Sequence, residues 1–201
     1  MLIEVDELSS CLSLSERAMR LAFIAHARQC RKMDGQPFIT HPVAVAQLLA
    51  RHGFNDTIVA AGYLHDVLED TDISDRYLWD NFGEEVTHLV LTVTHQGDGP
   101  GVWYQAREAY INQVRHGPLG AKAIAAADKI HNMTCMMESI RLIGPSVHDH
   151  FACTWEERLW YFQTLLDVLR ETWSHPIVDE FTDKLIEFKI YIGPFIQPPE
   201  Q

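Results

Sequence analysis

Residues 62–71 read GYLHDVLEDT, an apolar helical segment that carries one imidazole and three carboxylates, His65, Asp66, Glu69 and Asp70. On one continuous helix His65 stacks over Glu69, and Asp66 over Asp70. Adjacent residues are about 100° apart, so His65 and Asp66 can converge on one ion only near a groove between helices. Burying carboxylates without a cation costs several kcal/mol each, and a bound cation is a natural remedy. Imidazole nitrogen together with carboxylate oxygen suits a borderline divalent metal such as Mn, Fe, Co or Zn. The competing reading makes Glu69, Asp70 and Asp72 the solvated end of the helix. Acidic groups at that end oppose the helix dipole.

Two other stretches supply donors of the same kind. His41 precedes Pro42 in PFITHPVAVA (37–46), and Asp128 sits in AIAAADKIHNM (123–133). Asp128 is the only carboxylate between Glu108 and Glu138. Taken singly, His41 reads as a turn histidine and Asp128 as an ion-pair partner of Lys122 or Lys129. His131 and His95 are further candidates, although His131 reads better as a packing residue. Trp103, Trp155, Trp160, Trp173, Met133, Met136 and Met137 read as core.

Around these stretches the periodicity is helical nearly throughout. Ser13-Leu-Ser-Glu16 and Thr154-Trp-Glu-Glu157 are capping-box patterns that open helices. Pro42 suits the first turn of a second helix, and Gly53 ends it. Asn55 or Asp56 caps a third helix running through Ala60, Leu64, Val67 and Leu68. Ser74 caps a short fourth, and Val86 to Val93 form a fifth after Gly83, with a strand as the alternative there. Helical patterns resume at 102–115 and 118–140, and a last helix spans roughly 177–191. The glycine-rich stretch 95–101 reads as a mobile loop. The expectation is an all-α fold in a single domain over 1–201.

Composition narrows the function. The chain has 201 residues and a net charge of −12, so a broad basic nucleic-acid-binding face is excluded. An anionic small molecule is not, given a local cluster of Arg and Lys or a metal. No apolar span of about 18 residues appears, and four cysteines form no Cys-x-x-Cys pair. The expectation is a cytoplasmic protein with reduced thiols and no membrane partner. Oligomeric state is not readable.

In order along the chain the donors read His…His-Asp…Asp. The sequence resembles the HD superfamily of metal-dependent phosphohydrolases, and more narrowly the hydrolase domain of Rel/Spo alarmone enzymes and the small alarmone hydrolases. The matching stretches are AHARQCRKMDGQPFITHPVAVA, AAGYLHDVLEDTDIS, FGEEV and ADKIHNM. They span roughly residues 20–140, and the resemblance implies a helical bundle of about 8–10 helices, with C-terminal helices at about 154–192. It further implies one Mn-type ion held by His41, His65, Asp66 and Asp128. Glu69 and Asp70 would position or activate the attacking water, and Arg31, Lys32, Asn132 and Tyr161 would contact the nucleotide. The implied substrate is ppGpp, cleaved to GDP and pyrophosphate. The alternatives are another phosphate ester, such as the 2′-phosphate of NADPH, or a non-catalytic nucleotide-binding protein. Phe38 stands where the family usually has Tyr, and RKMDGQPF is one residue longer than its common counterpart.

Overall fold

The structure is a computed structural model, and it describes residues 11–31, 35–95, 102–144, 146–147 and 153–196. Its regular elements are helical: α1 (Leu14–Ala25), α2 (Thr40–Arg51), α3 (Asp56–Leu64), α4 (Val67–Asp70), α5 (Asp75–Val93), α6 (Trp103–His116), α7 (Leu119–Ile143), α8 (Trp155–Thr172) and α9 (Pro176–Ile192). A 3₁₀ turn follows at Gly193–Phe195. One isolated β-bridge, Cys30–Pro37, pinches the connection between α1 and α2. The all-α expectation holds.

The helix starts lie where the capping chemistry puts them. Both capping boxes close: Ser13 with Glu16, and Thr154 with Glu157. Asn55 accepts from the Ile58 N–H and Ser74 from the Tyr77 N–H. Each such cap stabilises its helix by about 1 kcal/mol. Asp56, the runner-up cap for α3, instead accepts from the Leu14 N–H at 2.8 Å, which ties the start of α1 to α3.

Helix α7 is the axis of the molecule. It touches α2, α3, α5, α6, α8 and α9. Every residue from Gly120 to Ile130 is buried, so this stretch has no solvent face. Alanines let the neighbouring helices approach closely, and Asp128 is thereby carried into the interior.

One sequence reading needs correction. Residues 60–70 are not one helix. α3 stops at Leu64, and α4 begins again at Val67. His65 and Asp66 occupy the joint with φ/ψ of −60/−29° and −98/−6°. These angles are still right-handed, so the helix is interrupted without any glycine or proline at the joint to announce it. The expected fourth and fifth helices are both present: they are the two runs of α5, which meet at the non-helical Gly83, where φ is 82°. Gly83 was read correctly as the break, because an L-residue with a side chain is strained at that angle.

Candidate metal centre and its cleft

Three segments bring the expected donors together. His41 enters on the first turn of α2, and His65 and Asp66 lie on the joint between α3 and α4. Asp128 lies midway along α7. His41, His65 and Asp128 are 5%, 3% and 7% exposed, too buried to be a solvated face. His41 Nε2 lies 3.1 Å from His65 Nε2. It is 3.4 Å from Asp66 Oδ2 and 3.2 Å from Asp128 Oδ1. His65 Nε2 lies 3.2 Å from Asp66 Oδ1 and 4.0 Å from Asp128 Oδ1. Among the described residues, His41, His65 and Asp66 form the one group of three donors whose ligand atoms lie within 4.8 Å of one another.

The surrounding contacts turn these donors inward. His65 Nδ1 lies 2.8 Å from the Gly62 carbonyl. A carbonyl only accepts, so Nδ1 carries the proton and Nε2 presents a lone pair. A Cβ on Gly62 would sit 2.5 Å from Leu49 Cδ1, so the glycine allows α3 to lie against α2 at this point. His41 Nδ1 lies 2.7 Å from His131 Nδ1. His131 Nε2 lies 3.5 Å from the Cys135 sulfur, which also accepts from Arg31 at 2.9 Å. One assignment that satisfies this chain has His41 donating to His131 and His131 donating to Cys135. His41 Nε2 then also presents a lone pair. Burial, with His41 and Arg31 nearby, lowers His131 to about 3, so its ring is neutral.

In that assignment two imidazole lone pairs and an Asp66 oxygen face one point, and Asp128 Oδ1 lies beside them, 3.2 Å from His41 Nε2. That arrangement is repulsive without a cation, and its N₂O₂ donor set matches a borderline divalent ion. Histidine ligands held through their second ring nitrogen are the usual support for such an ion. The residues present fit a metal.

Asp128 is held on both sides. Its Oδ2 pairs with Lys129, and its Oδ1 accepts from Asn132. Burial alone would raise the Asp128 carboxyl, but Lys129 and His41 outweigh it and hold it well below the ordinary carboxylate range. Burial likewise works against the Lys129 ammonium, and Asp128 more than restores it. Of the two lysines weighed as partners for Asp128, the structure selects Lys129. Lys129 also lies 5.0 Å from the Tyr110 ring centroid and 5.4 Å from that of Tyr161.

The donors open onto a cleft of about 290 Å³. Its walls include Arg31, Glu69, Asp70, Asn132 and Tyr161 from the sequence reading. Lys32 lies outside the described residues, as do residues 96–101 of the glycine-rich stretch. Glu69 accepts from the His95 backbone N–H at 2.6 Å. The backbone carbonyl of Asp70 accepts from Gln29 at 2.5 Å, and Gln29 in turn bonds His26 at 2.7 Å. The α1–α2 connection is thereby latched to the acidic turn.

Sequence reasoning missed a second wall. Arg107 of α6 and Arg158 of α8 line the cleft beside Lys129. The Arg107 guanidinium lies 5.6 Å from the Trp103 ring and 5.4 Å from the Tyr161 ring. Burial lowers the Arg158 guanidinium, and Arg107 adds to the effect. Lys129, Arg107 and Arg158 thus bring three cations to the same cleft as the four carboxylates Asp66, Glu69, Asp70 and Asp128. Met136 is buried in the core as read and also lines the cleft, while Trp103 is only partly buried against the core and stands on the cleft wall. His131, read as packing, supports His41.

Known proteins share this arrangement of sequence. The chain is 36% identical to a probable guanosine-3′,5′-bis(diphosphate) 3′-pyrophosphohydrolase of Synechocystis over 73% of its own length and 20% of the relative. It is 37% identical to the mouse guanosine-3′,5′-bis(diphosphate) 3′-pyrophosphohydrolase over 55% of its length and 64% of the relative. The chain spans about a fifth of the first of these. A solved structure of a metazoan ortholog of SpoT, described as hydrolysing ppGpp, superimposes with a TM-score of 0.69 at 25% identity, covering 90% of this chain and 97% of that one. The HD domain model matches residues 18–152, well over half of the chain, and that span contains His41, His65, Asp66 and Asp128. The converging histidines and aspartates, and a match running through all of them, lead to one assignment: the chain belongs to the HD domain family.

Proposed function

We propose that the protein is a metal-dependent phosphohydrolase that cleaves ppGpp at its 3′ position to GDP and pyrophosphate. The observation that carries the reading is the proximity of His41, His65, Asp66 and Asp128, with the Nε2 atoms of the two imidazoles 3.1 Å apart. In this reading the four residues hold one divalent ion, Mn²⁺ by preference. When bound, such an ion acidifies water and polarises a phosphoryl oxygen.

The chain's own groups do the rest. Glu69 and Asp70 project from the short α4 at the cleft edge, where a carboxylate can orient water or accept its proton. Arg31 stands on the α1–α2 connection, with Lys32 next to it in sequence, and the pair contacts phosphate. Lys129, Arg107 and Arg158 offset phosphate charge from the opposite wall, where charge-assisted hydrogen bonds are strongest. A substrate with diphosphates at the 3′ and 5′ positions of its ribose suits a cleft lined by several cations. Tyr161 and Trp103 offer aromatic surface to the nucleoside, and Asn132 lies beside Asp128 at the cleft floor. Relatives named for the same reaction support the choice of substrate. The reading treats the whole chain as one cytoplasmic unit; among the described residues no helix is long and apolar enough to cross a membrane.

The test is pyrophosphate release from ppGpp by chelator-stripped protein, with and without added Mn²⁺, beside Asp66→Ala. The reading predicts release that requires metal and is lost in the variant. Tight metal binding without release would keep the centre and remove ppGpp as substrate.

A further inference from the structure

The cleft contains an imidazole that the metal cluster does not use. His95 follows the C-cap of α5 and lines the cleft. Its backbone N–H donates to Glu69 Oε1 at 2.6 Å, and its ring Nδ1 lies 3.2 Å from the same oxygen. On the other side of the ring, Nε2 lies 3.3 Å from the Tyr161 hydroxyl. The ring face stacks on Tyr110, with centroids 4.0 Å apart and planes 7° apart. Three helices, α4, α6 and α8, therefore fix one imidazole.

These contacts assign its protons. A carboxylate oxygen accepts, so Nδ1 carries a proton directed at Glu69. Tyr161 then donates its hydroxyl proton to Nε2. Burial raises both Tyr161 and Tyr110, so each hydroxyl keeps its proton at neutral pH.

Glu69 has particular need of such a partner. It sits on a helix of only four residues, and its own side chain is 27% exposed. An unrestrained Glu side chain gives up rotamer freedom when it is ordered. Two donors from one residue converge on Oε1 and leave Oε2 as the oxygen available to a water.

We propose that His95 is a positioning residue: it clamps the Glu69 carboxylate so that one oxygen is committed to the protein and the other serves the reaction. This rests on the hydrolase reading above, in which Glu69 handles the attacking water. The clamp acts on turnover, because Glu69 touches water rather than the nucleotide's charged ends.

The experiment compares wild type, His95→Ala and His95→Asn by steady-state pyrophosphate release from ppGpp with saturating Mn²⁺. Long-range ¹H–¹⁵N spectra of the histidine rings accompany it. The alanine variant keeps the backbone bond and loses the ring. It should lower kcat by about tenfold or more, a share of the 10²–10⁴ that a general base contributes, with KM nearly unchanged. Asparagine, which can still donate an N–H to Glu69, should recover most of the loss. The wild-type spectrum should show a protonated His95 Nδ1. An alanine variant with wild-type kcat, an asparagine variant no better than alanine, or an Nδ1 without a proton would each overturn the proposal. Should the wild type itself release no pyrophosphate, the ppGpp reading falls and the Nδ1 signal alone decides the clamp. Should the alanine variant fail to fold, the asparagine variant and the spectrum decide it.

Discussion

Helix α2 carries a histidine cluster at each end, and the two differ in what their histidines still lack. At its far end His52 bonds Glu180 at 2.7 Å, and Arg51 takes the other Glu180 oxygen at 2.5 Å. His175 accepts from the Ile177 N–H at 3.2 Å and so caps α9, while its ring stacks on Phe54 and Trp173 at 4.7 Å each. Each of these histidines has a complementary partner there. At the near end the Nε2 atoms of His41 and His65 lie 3.1 Å apart, and His41 Nε2 lies 3.2 Å from Asp128 and 3.4 Å from Asp66. Counting histidines would not separate the two clusters. Two imidazole nitrogens crowded together with carboxylates do, and they mark the near cluster as the one built for a cation.

The sharpest way to break this comparison is to remove the near cluster's built-in cation. Lys129→Met leaves the buried Asp128 carboxylate without its partner, and breaking such a pair costs about 3–5 kcal/mol. Urea unfolding of the metal-free protein should show that loss. Saturating metal should shrink it, because the ion restores countercharge to Asp128. Equal losses with and without metal would separate Asp128 from the centre.

The cleft's second wall comes next. Arg107→Ala should raise KM for ppGpp by roughly tenfold to a hundredfold, consistent with the ~1.5–3 kcal/mol of a hydrogen bond to a charged group. Steady-state kinetics with kcat nearly constant would place Arg107 on a part of the substrate remote from the reacting phosphorus. Of similar size is the expected effect of His131→Ala, which removes the partner of His41 Nδ1. Outer partners of this kind are worth about 10–100-fold in metal affinity. Titration of Mn²⁺ into the variant measures it directly.

The far cluster should respond least, and to pH rather than to metal. Burial would raise Glu180, but the bonds from His52 and Arg51 outweigh it and hold its carboxyl below the ordinary value. A carboxyl lowered by folding contributes stability that is present above its unfolded pKa and lost as pH falls through the folded one. Glu180→Gln should therefore flatten the acid side of the stability–pH curve while costing no more than the ~0–1 kcal/mol of an exposed pair. Thermal melts from pH 7 down to pH 3 would show it. An unchanged acid slope would contradict the assignment.

Much of this molecule was legible in the sequence, and for local reasons. Ser13, Asn55, Ser74 and Thr154 announce helix starts because a cap is made within four residues. Gly83 announces a bend because its φ is positive. The joint at His65 and Asp66 left no mark, since both residues keep right-handed angles that suit any helix. For the site, the donors were readable from HDVLED, ITHP and ADKIHN as a resemblance to a family. The wall of Lys129, Arg107 and Arg158 was not, because it is assembled from α6, α7 and α8 with no spacing that a periodicity could reveal. His131 was misjudged for the same reason: its partner His41 lies 90 positions away.

The most direct test of the central claim is a calorimetric titration of Mn²⁺ into chelator-treated wild type, His65→Ala and His52→Ala. The account predicts one equivalent bound by wild type and by His52→Ala, and binding lost in His65→Ala. Binding that survives in His65→Ala, or that disappears in His52→Ala, would contradict it.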